Sequence, residues 1–281
     1  MNLMQHIQRA AATGDPLVMG IVNVTPDSFS DGGQSFKPEQ ALKHARSMVE
    51  AGADMLDIGG ESTRPGAQPV DVAQELDRVL PVIEALRDEL ATPISIDTMK
   101  PAVMRAAVDA GAKLINDVNG LRAPNAAATV AELNVPACIM HMQGQPDSMQ
   151  QQPHYADVVV EVEAFFAKQI AHCVEAGIQP DQLILDPGFG FGKTLEHNLA
   201  LLAALPKFAH TAPVLAGLSR KSMLGQITGQ TQADQRVAAS VAAALLAADR
   251  GAAIVRVHDV EATVDALKVR RALIRSEHRS E

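Results

Sequence analysis

Short apolar runs alternate with longer segments of helical character along most of this chain. Each apolar run follows a turn of small residues and ends at a polar residue, as in residues 50–60, 109–120, 175–188 and 249–259. A glycine just after a helix supplies the left-handed backbone conformation of a C-cap. The apolar run that follows is typical of a strand buried on both faces. The pattern therefore predicts repeated strand–helix units.

Eight of these runs are predicted to be β-strands, each followed by a helical segment. No break in composition and no long linker interrupts the repeats. The sequence therefore predicts an α/β fold, a single-domain (β/α)8 TIM barrel over residues 17–281 after an N-terminal extension of residues 1–16. A doubly wound open sheet is the alternative, although it usually ends nearer to about six strands. The predicted strands are Leu17–Val22, Met55–Ile58, Ile94–Ile96, Leu114–Asp117, Ala137–Met140, Leu183–Leu185, Val214–Ala216 and Ala253–Val257.

Composition favours a globular protein of the cytoplasm. The 281 residues are 47% hydrophobic and 20% charged, with a formal net charge of −9. We expect no nucleic-acid partner, because phosphate binding needs an extended basic surface. Cys138 and Cys173 lie in an apolar and a helical segment, and are predicted to be reduced thiols. We see neither a signal peptide nor an apolar run of membrane-spanning length, so we expect a cytoplasmic protein without a membrane partner.

Polar side chains stand at or just after the end of each predicted strand but one, the short seventh, whose polar residues follow a few positions later. Each residue alone could form a turn or cap a helix. Together they indicate a site, because the carboxyl ends of barrel strands and the loops after them form the catalytic face. Acids and amides on the middle strands and cations elsewhere suit a ligand with a donor-rich end and an anionic end. The residues are Asn23, Asp57, Glu61, Thr63, Arg64, Asp97, Asn116, Asp117, Met140, His141, Asp186, Ser219 to Ser222, Arg256 and His258.

The sequence gives only a weak signal for a metal site. His141 and His258 fall on distant predicted strands, and the chain has no His-x-x-x-His or Cys-x-x-Cys pair, so a tightly bound zinc ion is not expected. Magnesium held by one or two oxygen ligands and by substrate phosphates would leave only a faint trace, such as Asn23.

Eight separated segments resemble, in order, the motifs of the bacterial dihydropteroate synthase family. The resemblance runs from Leu17 to the last helical segment, and it implies a (β/α)8 barrel, in agreement with the strand pattern. It also implies a reaction that joins 6-hydroxymethyl-7,8-dihydropterin diphosphate to 4-aminobenzoate, assisted by Mg²⁺, at the step of folate synthesis that sulfonamide-type inhibitors block. The segments are GIVNVTPDSFSDGG (20–33), DIGGESTRPGA (57–67), ISIDT (94–98), INDVNG (115–120), MHMQG (140–144), LDPGFGFGKT (185–194), GLSRKSMLG (217–225) and RVHDV (256–260).

The resemblance assigns one group of residues to the pterin. One carboxylate, Asp186, would accept both donors of the pterin edge, and the planar guanidinium of Arg256 could stack on the ring. The pterin-binding residues implied are Asp97, Asn116, Met140, Asp186, Lys221 and Arg256.

A second group is implied for the leaving diphosphate and for catalysis. Asp97 would favour the positive charge that develops on the pterin methylene, and positive groups with Mg²⁺ near Asn23 would neutralise the diphosphate. The diphosphate-binding residues implied are Asn23, Arg64, Arg256 and His258, and the catalytic residues are Asp97, Lys221, Arg256 and His258.

The polar, glycine-ended loop after the first strand belongs to a third group, which would bind 4-aminobenzoate. In the family this loop and the loop after the second strand close over the site, which suits a polar loop with one aromatic residue. An exposed, disordered linker is the alternative. The residues implied are Phe29, Thr63, Arg64, Pro65, Lys221 and Ser222, the last at the start of a helix that would bind the carboxylate.

Two other functions compete with this interpretation. A corrinoid-linked methyltetrahydrofolate methyltransferase shares the pterin-binding half of the site, but it would have no use for the loop of Phe29, for residues 62–65 or for cations aimed at a diphosphate. A pterin-binding barrel without activity should have lost Asp97 or Lys221, and neither is missing. The segment Val237–Ala248 is rich in alanine, and members of the family are commonly dimeric. Together these two observations predict a homodimer formed by late helices.

Overall fold

The computed structural model describes residues 2–25, 38–62, 68–144 and 148–277 of the chain. Its eight parallel strands pair in chain order, and the first also pairs with the last, so the sheet closes into a barrel. The predicted barrel is confirmed and the open sheet is wrong. Every predicted strand agrees with the observed one to within one residue at each end. The strands are β1 (Leu17–Asn23), β2 (Met55–Gly59), β3 (Ile94–Asp97), β4 (Leu114–Asp117), β5 (Ala137–Met140), β6 (Leu183–Asp186), β7 (Val214–Ala216) and β8 (Ala252–Val257).

Helices cover the outside of the barrel. Several begin at a side-chain N-cap, such as Asp71, whose carboxylate accepts the backbone N–H of Gln74 at 2.8 Å. In the described part of the chain, no helix has the length and apolar character needed to cross a bilayer. The helices are α1 (Leu3–Thr13), α2 (Pro38–Glu50), α3 (Val72–Glu89), α4 (Pro101–Ala110), α5 (Ala126–Leu133), α6 (Val158–Glu175), α7 (Leu195–Ala203), α8 (Leu205–Ala209), α9 (Ser222–Thr228), α10 (Val237–Ala248) and α11 (Val260–Glu277).

The lower part of the barrel interior is apolar. It is closed from below by α1, which places Met4 and Ile7 against the inward side chains of the strands. Ile7 is fully buried. The first sixteen residues therefore supply a helix that completes the floor of the core. The strand residues of this layer include Met19, Met55, Leu114, Cys138, Ile184, Leu215 and Ile254.

The upper part of the interior is polar, and the alternation of strand side chains explains why. Residues two positions apart on a strand point to the same face. Each apolar floor residue on five of the strands is therefore followed, two positions later, by a side chain directed into the upper layer. Those residues are Asp57, Asn116, Met140, Asp186 and Arg256, which follow Met55, Leu114, Cys138, Ile184 and Ile254. The site predicted at the strand ends stands directly on the apolar floor.

We expect Ile7→Ala to lower the free energy of unfolding by about 2 to 5 kcal/mol, because it leaves a cavity between α1 and the barrel floor. Denaturant unfolding of the full chain measures the change. Val160→Ala on α6 is the control, since Val160 is 55% exposed, and it should change stability by no more than about 0.5 kcal/mol. Equal stabilities for the two variants would show that α1 does not contribute to the core.

Candidate active site

A cavity opens at the carboxyl ends of the strands, above the polar layer. It brings together many of the residues predicted from the strand ends, which come from six different strands and the loops after them. The lining residues are Ile21, Asp97, Asn116, Val118, Met140, Asp186, Phe189, Phe191, Gly217, Ser219, Lys221, Arg256 and His258. Seven of the residues to which the resemblance assigned a role are in this group, and so is Ser219, which was predicted from its position after a strand; the seven are Asp97, Asn116, Met140, Asp186, Lys221, Arg256 and His258.

The other residues to which the resemblance assigned a role fall into two sets. Asn23 is the half-buried last residue of β1, and Ser222 is the exposed first residue of α9, directly after Lys221; neither lines the cavity. The remaining predicted residues, Phe29, Thr63, Arg64 and Pro65, lie outside the described residues.

Arg256 lies between two carboxylates. Its Nε donates to Asp57 Oδ2 at 2.6 Å, and its Nη2 donates to Asp97 Oδ2 at 2.7 Å. Burial lowers the pKa of Arg256, but the two carboxylates outweigh it and raise the pKa overall. The resemblance implied that Arg256 stacks on a ring and binds phosphate. In this structure its Nε and Nη2 donate to Asp57 and Asp97, so a ligand that binds through these two groups has to compete with the carboxylates.

Asp57 is a residue whose role sequence reasoning missed. It was noted at a strand end but was assigned no function. The side chain is fully buried, and its Oδ2 also accepts a hydrogen bond from Asn116 Nδ2 at 2.9 Å. Asp57 therefore orients two residues of the cavity from below. Its position two residues after Met55 was the available signal, because it places the carboxylate inside the barrel.

Asp97 is a carboxylate that titrates near neutral pH. Burial raises the pKa of Asp97 to about 7, against the lowering effect of Arg256. The nearby acids Asp57, Glu75 and Asp117 raise it further. The cavity thus holds an acid whose pKa is raised well above that of a free carboxyl group.

Asp186 and Lys221 form the opposite side of the cavity. Burial raises the pKa of Asp186, and the backbone N–H of Gly188, which donates to its Oδ1 at 2.7 Å, lowers it. Burial lowers the pKa of Lys221 to about 8, whereas Asp186 raises it. The Lys221 ammonium lies 4.1 Å from the centre of the Phe191 ring, a favourable cation–π contact.

Lys193 is the second residue that sequence reasoning missed. The side chain is only 4% exposed, and its Nζ lies 3.0 Å from His141 Nδ1 and donates to the carbonyl of Phe191 at 2.9 Å. Burial lowers the pKa of Lys193 to about 7 and the pKa of His141 to about 3. The neutral imidazole can therefore accept from the ammonium. This pair fastens the loop between β6 and α7 to the end of β5.

His258 differs from expectation in its charge. The resemblance counted it among the positive groups around the diphosphate. Burial, followed by the charges of Arg256 and Arg220, lowers the pKa of His258 to about 3. Its Nδ1 lies 3.1 Å from Ser219 Oγ. In this structure His258 is a neutral imidazole that could offer a hydrogen bond but no full positive charge.

The sequence of most of the chain matches known proteins. Residues 19–258 match the model of the pterin binding enzyme family. The dihydropteroate synthase of Escherichia coli strain K12 is 52% identical over 255 residues, which cover 90% of each chain. That of Neisseria meningitidis serogroup B is 51% identical over 265 residues, with 92% of this chain and 93% of the relative covered. The chain belongs to the dihydropteroate synthase family.

Solved structures of dihydropteroate synthases agree with this assignment. The Xanthomonas albilineans enzyme with 4-aminobenzoic acid has a TM-score of 0.87 and 57% identity, with 92% of this chain and 93% of that chain covered. The Yersinia pestis enzyme with a sulfonamide drug complex has a TM-score of 0.88 and 52% identity, with 92% and 94% covered. These matches favour the synthase over the corrinoid-linked methyltransferase that was the alternative.

Gly188 is the point where the loop after β6 passes against β5. Its φ is +69°, and a Cβ there would lie 1.9 Å from the carbonyl oxygen of His141. We expect Gly188→Ala to displace the loop and with it the N–H that contacts Asp186. The affinity for a pterin should fall by about tenfold or more, which corresponds to the loss of one charged hydrogen bond.

Gly14→Ala is the matched control. Gly14 has nearly the same φ, +66°, but a Cβ there would meet no atom within 4 Å. Both variants carry similar backbone strain, so the contacts of the new Cβ with His141 and Met140 separate them. Calorimetric titration with a pterin should show wild-type affinity for Gly14→Ala. Equal affinities for the two variants would contradict the placement of this loop in the binding site.

Proposed function

We propose that this protein is a dihydropteroate synthase, which joins 6-hydroxymethyl-7,8-dihydropterin diphosphate to 4-aminobenzoate and releases pyrophosphate. The observation that carries the proposal is a single cavity whose lining holds both hydrogen-bond acceptors and positive groups. Asp97, Asn116 and Asp186 offer acceptors, while Lys221 and Arg256 offer positive charge. The Xanthomonas albilineans enzyme has been solved in complex with 7,8-dihydropteroate, at 54% identity to this chain.

The acceptors Asn116 and Asp186 suit the pterin ring. Asp186 is positioned to take the two parallel donors of the pyrimidine edge with its two carboxylate oxygens. Asn116 donates one N–H to Asp57, which leaves its carbonyl oxygen and its other N–H for the neighbouring ring nitrogens. Met140 gives an apolar wall, and Lys221 would donate to the ring carbonyl.

Arg256 and the residues around it suit the diphosphate. Arg256 would bind the phosphate oxygens, His258 would add a hydrogen bond, and Arg64 remains a predicted contributor. Magnesium fits here as a cofactor held chiefly by the substrate, because Asn23 ends β1 with an amide oxygen of the kind that Mg²⁺ accepts. When bound, Mg²⁺ would neutralise negative charge on the leaving diphosphate.

The chemical step places positive charge on the pterin. The bond between the exocyclic methylene carbon and the diphosphate oxygen breaks, and its electron pair leaves with pyrophosphate. The carboxylate of Asp97 stabilises the resulting cation. The amine nitrogen of 4-aminobenzoate then attacks the methylene carbon and releases a proton. An aromatic amine is weakly basic and is therefore uncharged at neutral pH. Its nitrogen lone pair is free to attack, so no strong general base is needed.

The second substrate would lie at the mouth of the cavity. Ser222 begins α9 directly after Lys221, so these two residues are placed to bind the carboxylate of 4-aminobenzoate. Phe29, Thr63, Arg64 and Pro65 remain predicted parts of this subsite. Sulfonamide-type inhibitors would take the same place, which the complex of the Yersinia pestis relative with a sulfonamide drug supports.

Assembly and location complete the proposal. Large apolar side chains on α10 and α11 are exposed, namely Leu246, Val269 and Leu273. Because α10 and α11 pack against each other, these side chains lie on neighbouring helices, which supports a homodimer formed by the late helices. Both cysteines are buried free thiols, which supports a reducing compartment such as the cytoplasm.

Wild-type protein given the pterin diphosphate, 4-aminobenzoate and Mg²⁺ should form dihydropteroate and pyrophosphate in equal amounts. We expect Asp186→Asn to weaken binding of the pterin diphosphate by about tenfold to a hundredfold, because the amide turns a donor toward the donors of the ring. Coupled product detection and calorimetry measure the two effects. Asp181→Asn, at an exposed position, is the control. Absence of product from the wild type would disprove the proposed function.

The pH dependence follows from two groups in the cavity. Asp97 must be ionised, and its pKa is raised to about 7. Lys221 must be protonated, and its pKa is lowered to about 8. The value of kcat/KM for the pterin diphosphate should therefore rise with pH through about 7 and fall above about 8. Asp97→Asn should abolish the acidic limb. Retention of that limb in the variant would exclude Asp97 as its source.

A further inference from the structure

Asp57 lies beneath the cavity rather than in its lining. It is fully buried on β2, and a single oxygen, Oδ2, accepts from Arg256 on β8 and from Asn116 on β4. The two contacts join strands on different sides of the barrel. Neither bond can be replaced by water without opening the floor of the site.

Two hydrogen bonds from the guanidinium of Arg256 go to partners with different exposure. Its Nε donates to the fully buried Asp57, whereas its Nη2 donates to Asp97, which lines the cavity. Arginine has donors enough to keep one partner while exchanging another. An anion that enters the cavity can therefore displace Asp97 from the guanidinium, but it cannot reach the bond to Asp57.

A stabilising role alone does not explain Asp57 well. Its Oδ1 is buried and has no hydrogen-bond partner in the described part of the chain. A buried acceptor left without a partner costs about 1 to 3 kcal/mol. Replacement of a buried ion pair by apolar residues is often neutral or stabilising. An acid at this position is therefore better explained by what it does for Arg256 and Asn116.

We propose that Asp57 is a positioning residue, a fixed pivot that keeps the Nε of Arg256 in place while an anionic ligand takes the Nη2 group of Arg256 from Asp97. Capture of the diphosphate then frees the Asp97 carboxylate at the moment when the pterin arrives. The inference rests on the proposed function, because it assigns the ligand's anion and Asp97 their roles there. It links binding of the leaving group to preparation of the group that stabilises the pterin cation.

The test compares binding of inorganic pyrophosphate to two variants by calorimetry. Asp97→Asn removes the competitor for Arg256, so pyrophosphate should bind at least about threefold more tightly. Asp57→Asn releases the pivot, so pyrophosphate should bind about tenfold more weakly. Simple removal of a negative charge would tighten binding in both variants. Opposite signs therefore distinguish the pivot from an electrostatic effect of the acid.

Controls separate this outcome from loss of the fold. Asp265→Asn makes the same chemical change on an exposed part of α11, and it should bind pyrophosphate like the wild type. Arg256→Lys keeps the charge but replaces the separate Nε and Nη2 donors with one ammonium group. It should also weaken pyrophosphate binding, and it serves as the test if Asp57→Asn does not fold. Wild-type affinity in a folded Asp57→Asn variant, or in Arg256→Lys, would overturn the pivot.

A pH profile gives an independent measurement. Asp97 faces Arg256, Asp57, Glu75 and Asp117, and the charge of Asp57 is one of those that raise its pKa. Asp57→Asn should therefore move the acidic limb of kcat/KM to lower pH, while an unchanged limb would count against the pivot. Synthesis of dihydropteroate by the wild type is assayed in parallel. Failure there would refute the proposed function, whereas normal synthesis with unchanged pyrophosphate binding in Asp57→Asn would refute only the pivot.

Discussion

The site depends on one half-buried arginine held between two carboxylates. Arg256 on β8 reaches Asp57 on β2 and Asp97 on β3, and Asp57 in turn holds Asn116 on β4. Four strands of the barrel thus fix the polar layer in one arrangement. Charges of this kind are costly to remove from water unless their hydrogen bonds are well made. The closed barrel provides that geometry because its strands converge on the same interior.

The arginine also connects the two proposed functions of the cavity. It contacts Asp97, one of the acceptors that suit the pterin ring, and it carries the positive charge that suits a diphosphate. The same ion pairs explain why the titration of the site falls near neutral pH: burial raises the pKa of Asp97, while Arg256 lowers it. The ionisation of Asp97 is therefore tied to the same ion pairs that hold Arg256.

Local signals in the sequence were enough to predict the barrel and the seven site residues that meet in its cavity. Apolar runs and glycine caps are read within a few residues, and the polar residue that ends each strand is placed by the strand itself. The partners of those residues were not accessible in this way. Asp57 and Arg256 are 199 positions apart, and Lys193 and His141 are 52 apart, so their pairing depends on closure of the barrel. The burial of Ile7 likewise depends on where α1 docks.

A crystal structure of the protein with a pterin diphosphate analogue tests the central claim most directly. Both oxygens of Asp186 should accept hydrogen bonds from the pterin edge, and Arg256 should bind a phosphate oxygen while its Nε remains on Asp57. A pterin bound away from Asp186, or a diphosphate with no contact to Arg256, would contradict the account.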